Sequence, residues 1–97
     1  MGGTIRMDYQ EYANLQSLAL HAEQLKIGTH YLKIRKTKNY ITALTVEVKN
    51  INRNSWNNIE TITVEYLDGS RKGDISDDRV DKQGKIMYGK VIYVEAL

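Results

Sequence analysis

Tyr40-Ile41-Thr42-Ala43-Leu44-Thr45-Val46-Glu47-Val48-Lys49-Asn50 is the stretch that decides the fold. Leu44, Val46 and Val48 lie on one side of an extended chain, and Thr45, Glu47 and Lys49 on the other. This two-residue repeat is that of a strand in an antiparallel sheet with one wet face. The repeat returns from Asn58 to Leu67, where Ile62, Val64 and Tyr66 oppose Thr61, Thr63 and Glu65. The linker Ile51-Asn52-Arg53-Asn54-Ser55-Trp56-Asn57-Asn58 exceeds a tight turn, so the spacing predicts a wide hairpin.

Working outward, Leu32 and Ile34 alternate with Tyr31, Lys33 and Arg35 to give a first strand, closed by a polar turn over Lys36 to Asn39. Upstream of Gly28 the repeat is helical. Tyr12, Leu15, Leu18, Ala19, Ala22 and Leu25 share an arc of roughly 140° on a helix predicted over residues 8–26. Asp8 and Glu11 have capping-box spacing at its start, and Gly28 suits its end. Downstream, Asp68-Gly69 predicts a turn into a short strand, Ser70 to Ile75, followed by an acidic loop and a weaker turn at Gln83-Gly84. The last strand, Lys85 to Glu95, is apolar on both sides over Val91-Ile92-Tyr93-Val94, which places it in a sheet interior or a closing barrel. The expected fold class is α+β: an N-terminal amphipathic helix on about five antiparallel strands, as a curved sheet or a small SH3-like barrel. Residues 1–7 are expected to form a flexible tail and 8–97 a single domain.

The 97 residues suffice for one core without staples. Without cysteine the chain has no disulfide, thiolate zinc site or thiol nucleophile. It shows no N-terminal apolar run and no stretch long enough to span a membrane, so a cytoplasmic location is expected. The richness in Ile, Lys, Asn and Tyr suits an AT-rich coding sequence of the kind carried by phages and mobile elements.

No motif of catalysis appears, and the chain is expected to be no enzyme and to need no cofactor or metal. It has no Gly-x-Ser-x-Gly elbow and no phosphate-cradling Gly-rich loop. His21 and His30 lack metal-ligand spacing and are read as solvated. Asp74 to Asp81 is acidic but lacks the calcium-loop spacing. Glu47-Val48-Lys49 has the acid-x-lysine form used by metal nucleases, but no second carboxylate lies between Glu23 and Glu47.

Binding is what remains. Trp56, the single tryptophan, stands with Arg53 in an Asn-rich loop, and both residue types are favoured interface anchors. Ala13, Leu20 and Ile27 form a thin stripe on the back of the expected helix, which could serve a protein partner or a homodimer. The leading expectation is therefore a non-catalytic protein-binding module (inhibitor, adaptor or assembly factor) contacting its partner through Arg53, Trp56 and Leu20. The alternative is an RNA or single-stranded DNA binding domain using the basic, tyrosine-bearing strand: Tyr31, Lys33, Arg35, Lys36 and Lys38. A net charge of +2 is modest for a dedicated nucleic-acid binder.

Overall fold

The computed structural model describes residues 5–6, 9–82, 84–86 and 91–96. Its strands are β1 (Ile5–Arg6), β2 (His30–Lys36), β3 (Ile41–Arg53), β4 (Ile59–Tyr66), β5 (Ile75–Arg79) and β6 (Val91–Glu95); the helix α1 is Tyr9–Gln16. Five strands form an antiparallel sheet in the order β5-β4-β3-β2-β6. The thirteen-residue β3 is the spine. On one edge, its residues Ile41 to Glu47 pair with β2; on the other, β1 pairs with Thr42 and Ala43, and β4 takes over from Val46. No helix among the described residues is long and apolar enough to cross a membrane.

One face of this sheet is the main core, built from Tyr31, Val46, Val48, Ile62, Val64, Tyr66 and Tyr93. Each large aliphatic side chain so buried is worth roughly 1.5–3 kcal/mol. On the opposite face, Tyr12 and Leu15 of α1 cover Ile34, Ile41, Ala43 and Val94. Beyond α1 that face is wet, and polar ladders cross it. His30, Glu47, Lys49 and Glu65 form one, and Asn52, Thr61, Thr63 and Asp77 the other. The one wet face expected from the β3 and β4 repeats is therefore present where those two strands pair.

The sheet curls without closing. Among the described residues β5 and β6 lie at its two ends and share no backbone pairing, yet Tyr93 on β6 donates its hydroxyl to Asp78 on β5. A barrel is thus not formed; side chains bridge the gap that backbone hydrogen bonds would close.

Several expectations need correction. The helix stops at Gln16 instead of running to residue 26. The Leu20 amide donates to the Tyr93 carbonyl at 2.8 Å, and Ala22–Gln24 make a single 3₁₀ turn. Leu20, Ala22 and Leu25 reach the main core one at a time from this non-helical path, and Leu18 is left exposed. An unpaired sheet edge and an open core outweigh helix propensity here, since two helical turns gain little by lengthening. The back stripe goes with it: Ala13 lies on α1, whereas Leu20 and Ile27 do not, so these three residues share no helical face.

Asp68-Gly69 opens a 3₁₀ turn, Gly69–Arg71, and the next strand begins only at Ile75. Asp77 and Asp78 are therefore strand residues, not part of a solvated loop. β3 continues to Arg53, so the β3–β4 loop is shorter than expected. β6 ends the sheet instead of lying in its interior, and the Leu20 amide meets its outer edge. Of the expected tail, Ile5 and Arg6 pair with Ala43 and Thr42, and the rest lies outside the described residues. So do Asp8, Gln83 and residues 87–90 of the predicted last strand.

Candidate functional site

The β3–β4 turn, residues 54–58, carries the chain's single indole into solvent: Trp56 is 65% exposed. Its backbone is pinned from within. The Asn54 side-chain oxygen accepts from the amides of Trp56 at 2.9 Å and Asn58 at 3.0 Å. The Asn54 amide donates to the Asn58 carbonyl and the Asn57 amide to the Asn54 carbonyl, each at 2.9 Å. Asn57 takes a positive φ of 64°, which asparagine tolerates better than other non-glycine residues. Asparagine richness here is turn chemistry.

Arg53 holds this turn from below. Its Nη1 donates to the Asn57 carbonyl at 2.9 Å and to Glu23 Oε1 at 3.3 Å, while Nη2 reaches Glu23 Oε2 at 3.4 Å. The fork ties the turn to the 3₁₀ turn of Ala22–Gln24. Arg53 is thus a positioning residue for the turn, and the indole is its projecting element. Asn54→Ala removes the acceptor that serves both amides. It is expected to cost about 1 kcal/mol in urea unfolding, and to lower the steady-state anisotropy of Trp56 emission as the turn loosens.

An open groove of about 600 Å³ lies beside the turn, walled by Glu23, Asn54, Asn58, Glu60, Arg79 and Asp81 among others. Leu20 lines a second groove of about 380 Å³ with Tyr12, Ile86 and Val91. The structure therefore joins Arg53 with Trp56 at one turn and leaves Leu20 in a different groove.

The basic strand divides. Tyr31, Lys33 and Arg35 do point to one side, as expected, but that side is the interior for the first two. Tyr31 is buried and its hydroxyl accepts from the Lys26 amide at 2.9 Å. Lys33 is only 7% exposed. Its Nζ lies 2.7 Å from Asp78 Oδ2 and donates to the Tyr66 hydroxyl at 2.7 Å. Arg35 and Lys38 remain exposed, and Lys36 is half-buried. A surface made of all five residues does not exist in this fold.

Lys33 belongs to a buried polar cluster that sequence reasoning missed. Asp78, 8% exposed, accepts from Lys33, Tyr93 and, on its other oxygen, from Ser76 at 2.8 Å. Arg71 stacks on the Tyr66 ring at 4.3 Å, and its Nη1 donates to the Tyr66 hydroxyl at 3.2 Å. Among the described residues every buried side-chain polar atom has a partner. Burial, with the Asp78 charge and hydrogen bond adding, pushes the Tyr93 hydroxyl far above the ordinary tyrosine range. The cluster links β2 and β6 to β5 across the curl of the sheet.

On the wet face, Lys49 Nζ sits 3.0 Å from Glu47 and 3.3 Å from Glu65. The hydrogen bond from Lys49 lowers the Glu47 carboxyl below its usual range, helped by His30. Bonding to Glu47 and Glu65 raises Lys49 in turn. A lysine ammonium thus stands between the two carboxylates. No group of three or more His, Asp or Glu side chains among the described residues is arranged to hold a metal. No protein-family model matches the chain, and no curated protein or solved structure matches it either.

Proposed function

We propose that this domain is a non-catalytic protein-binding module that docks through the Trp56 turn. The observation carrying this reading is an exposed indole on a turn whose backbone is already fixed by Asn54 and Arg53. A pre-ordered turn lowers the entropic cost of association, so the indole's burial counts more fully toward affinity. Tryptophan is enriched among residues whose loss costs at least about 2 kcal/mol of binding. The neighbouring groove offers Asn54, Asn58, Glu60 and Arg79 as a polar rim around such a contact. The chain acts by occupying a partner, as an inhibitor, adaptor or assembly factor does.

The test uses the single tryptophan as its own reporter. A partner captured from the native host and purified should shift Trp56 emission to shorter wavelength on mixing. Trp56→Ala should weaken that complex at least about thirtyfold, the effect of a strong interface residue. A complex that forms with unchanged affinity in the Trp56→Ala variant sinks this reading.

A further inference from the structure

β3 separates two exposed tips. Thirteen extended residues span roughly 40 Å, close to the 39 Å long dimension of the molecule. The Trp56 turn follows its last residue, and the β2–β3 turn, Thr37 to Tyr40, precedes its first. That second turn is also ordered: the Thr37 amide donates to the Tyr40 carbonyl at 2.8 Å, and the Tyr40 amide to Thr37 Oγ1 at 3.2 Å.

Arg35, Lys36 and Lys38 lie in or next to this turn, with Tyr40 at its end and Tyr9 of α1 against Lys36. Arg35 and Lys38 are exposed and make no ion pair among the described residues. Lys36 Nζ lies 5.0 Å from the Tyr9 ring centre and 5.5 Å from that of Tyr12. Tyr9 is nevertheless 59% exposed and Tyr40 45% exposed. No acid occurs in residues 24–46, and Glu11 of α1 already has a partner.

Edge protection would be an ordinary reason for a strand rich in cations. It does not apply, because β2 lies between β3 and β6. Nor does the interior need Arg35 or Lys38, which contribute nothing to either core cluster. Exposed tyrosine rings beside exposed cations have the two chemistries a flexible polyanion with aromatic bases requires: phosphate neutralisation and stacking. An acidic peptide would use only the charge.

We infer that the end of the molecule formed by Tyr9, Arg35, Lys36, Lys38 and Tyr40 binds single-stranded nucleic acid. This surface is separate from the Trp56 turn, and its failure leaves the protein-docking reading intact.

Fluorescence anisotropy with a labelled oligo(dT) or oligo(U) of about twelve nucleotides, titrated at about 50 mM salt and upward, tests it. The wild-type chain is expected to bind saturably. Arg35→Glu with Lys38→Glu should weaken binding at least about tenfold and flatten its salt dependence. Tyr9→Ala with Tyr40→Ala should weaken it at least about fivefold, while Tyr9→Phe with Tyr40→Phe, which keep the rings, should retain it. Lys26→Glu with Lys72→Glu, the same charge change elsewhere, should leave most of the affinity. Absence of saturable binding overturns the inference, as does equal loss from the Lys26 and Lys72 pair or loss of binding in the phenylalanine pair.

Discussion

Asp78→Ala is expected to destabilise the domain by about 3–5 kcal/mol, because it strands a buried cation. Lys33 would keep only the Tyr66 hydroxyl, while Tyr93 and Ser76 would lose their acceptor. For a chain of this length such a loss lowers the midpoint of thermal unfolding on the order of 15 °C or more. Urea denaturation of the two forms measures it directly. The triple change Lys33→Met, Asp78→Leu and Tyr93→Phe should recover most of the loss, since a well-packed apolar set that leaves no buried charge or hydroxyl unmatched often replaces an ion pair with little change in stability. A single variant within about 1 kcal/mol of wild type would mean that the cluster does not hold the sheet's curl.

The second large effect is alkaline. The Tyr93 hydroxyl is held neutral by burial first and by the Asp78 charge and hydrogen bond next. An unfolded chain releases that proton near the ordinary tyrosine value of 10.0, whereas the native chain keeps it. Native protein then binds more protons than unfolded protein, so stability is complete below that pH and falls above it. The slope from this group is about 1.4 kcal/mol per pH unit. Tyr12, raised by burial as well, adds in the same direction. Urea unfolding followed from about pH 9 to about pH 11 should show a shallower decline in Tyr93→Phe than in wild type, although Tyr93→Phe is less stable at neutral pH. Equal slopes would show that the Tyr93 proton is not linked to folding.

The β3 and β4 repeats could be read from their sequence because one face of each is apolar and the other bears Thr and Glu. β2 could not be read that way. It is a central strand covered on both faces, by the main core over Tyr31 and Lys33 and by α1 over Ile34. Alternation identifies its two sides but not the environment of either, and it assigns Lys33 to an accessible binding surface. What reversed that assignment was Asp78, distant in sequence, whose carboxylate makes burial of Lys33 tolerable. Helical periodicity failed for a related reason: Ala22 and Leu25 fit the core arc of the expected helix and Leu20 its back stripe, yet each serves the sheet instead. The Trp56 turn was locally legible, since Asn54 and Asn57 satisfy its backbone without distant help. Its exposure was not, because that depends on where Arg53 and Glu23 place it.

The position of Asp78 on β5 also bears on self-association. Among the described residues β5 ends the sheet, with β4 as its single strand partner. A strand slipped by one residue would turn Asp77 toward the interior and Asp78 toward water, leaving Lys33 and Tyr93 unmatched. An open strand edge is a template on which identical chains can polymerise. Here an inward carboxylate fixes β5 in one alignment on β4, so any slipped, fibril-like pairing of these strands would first have to extract a charge from the folded interior.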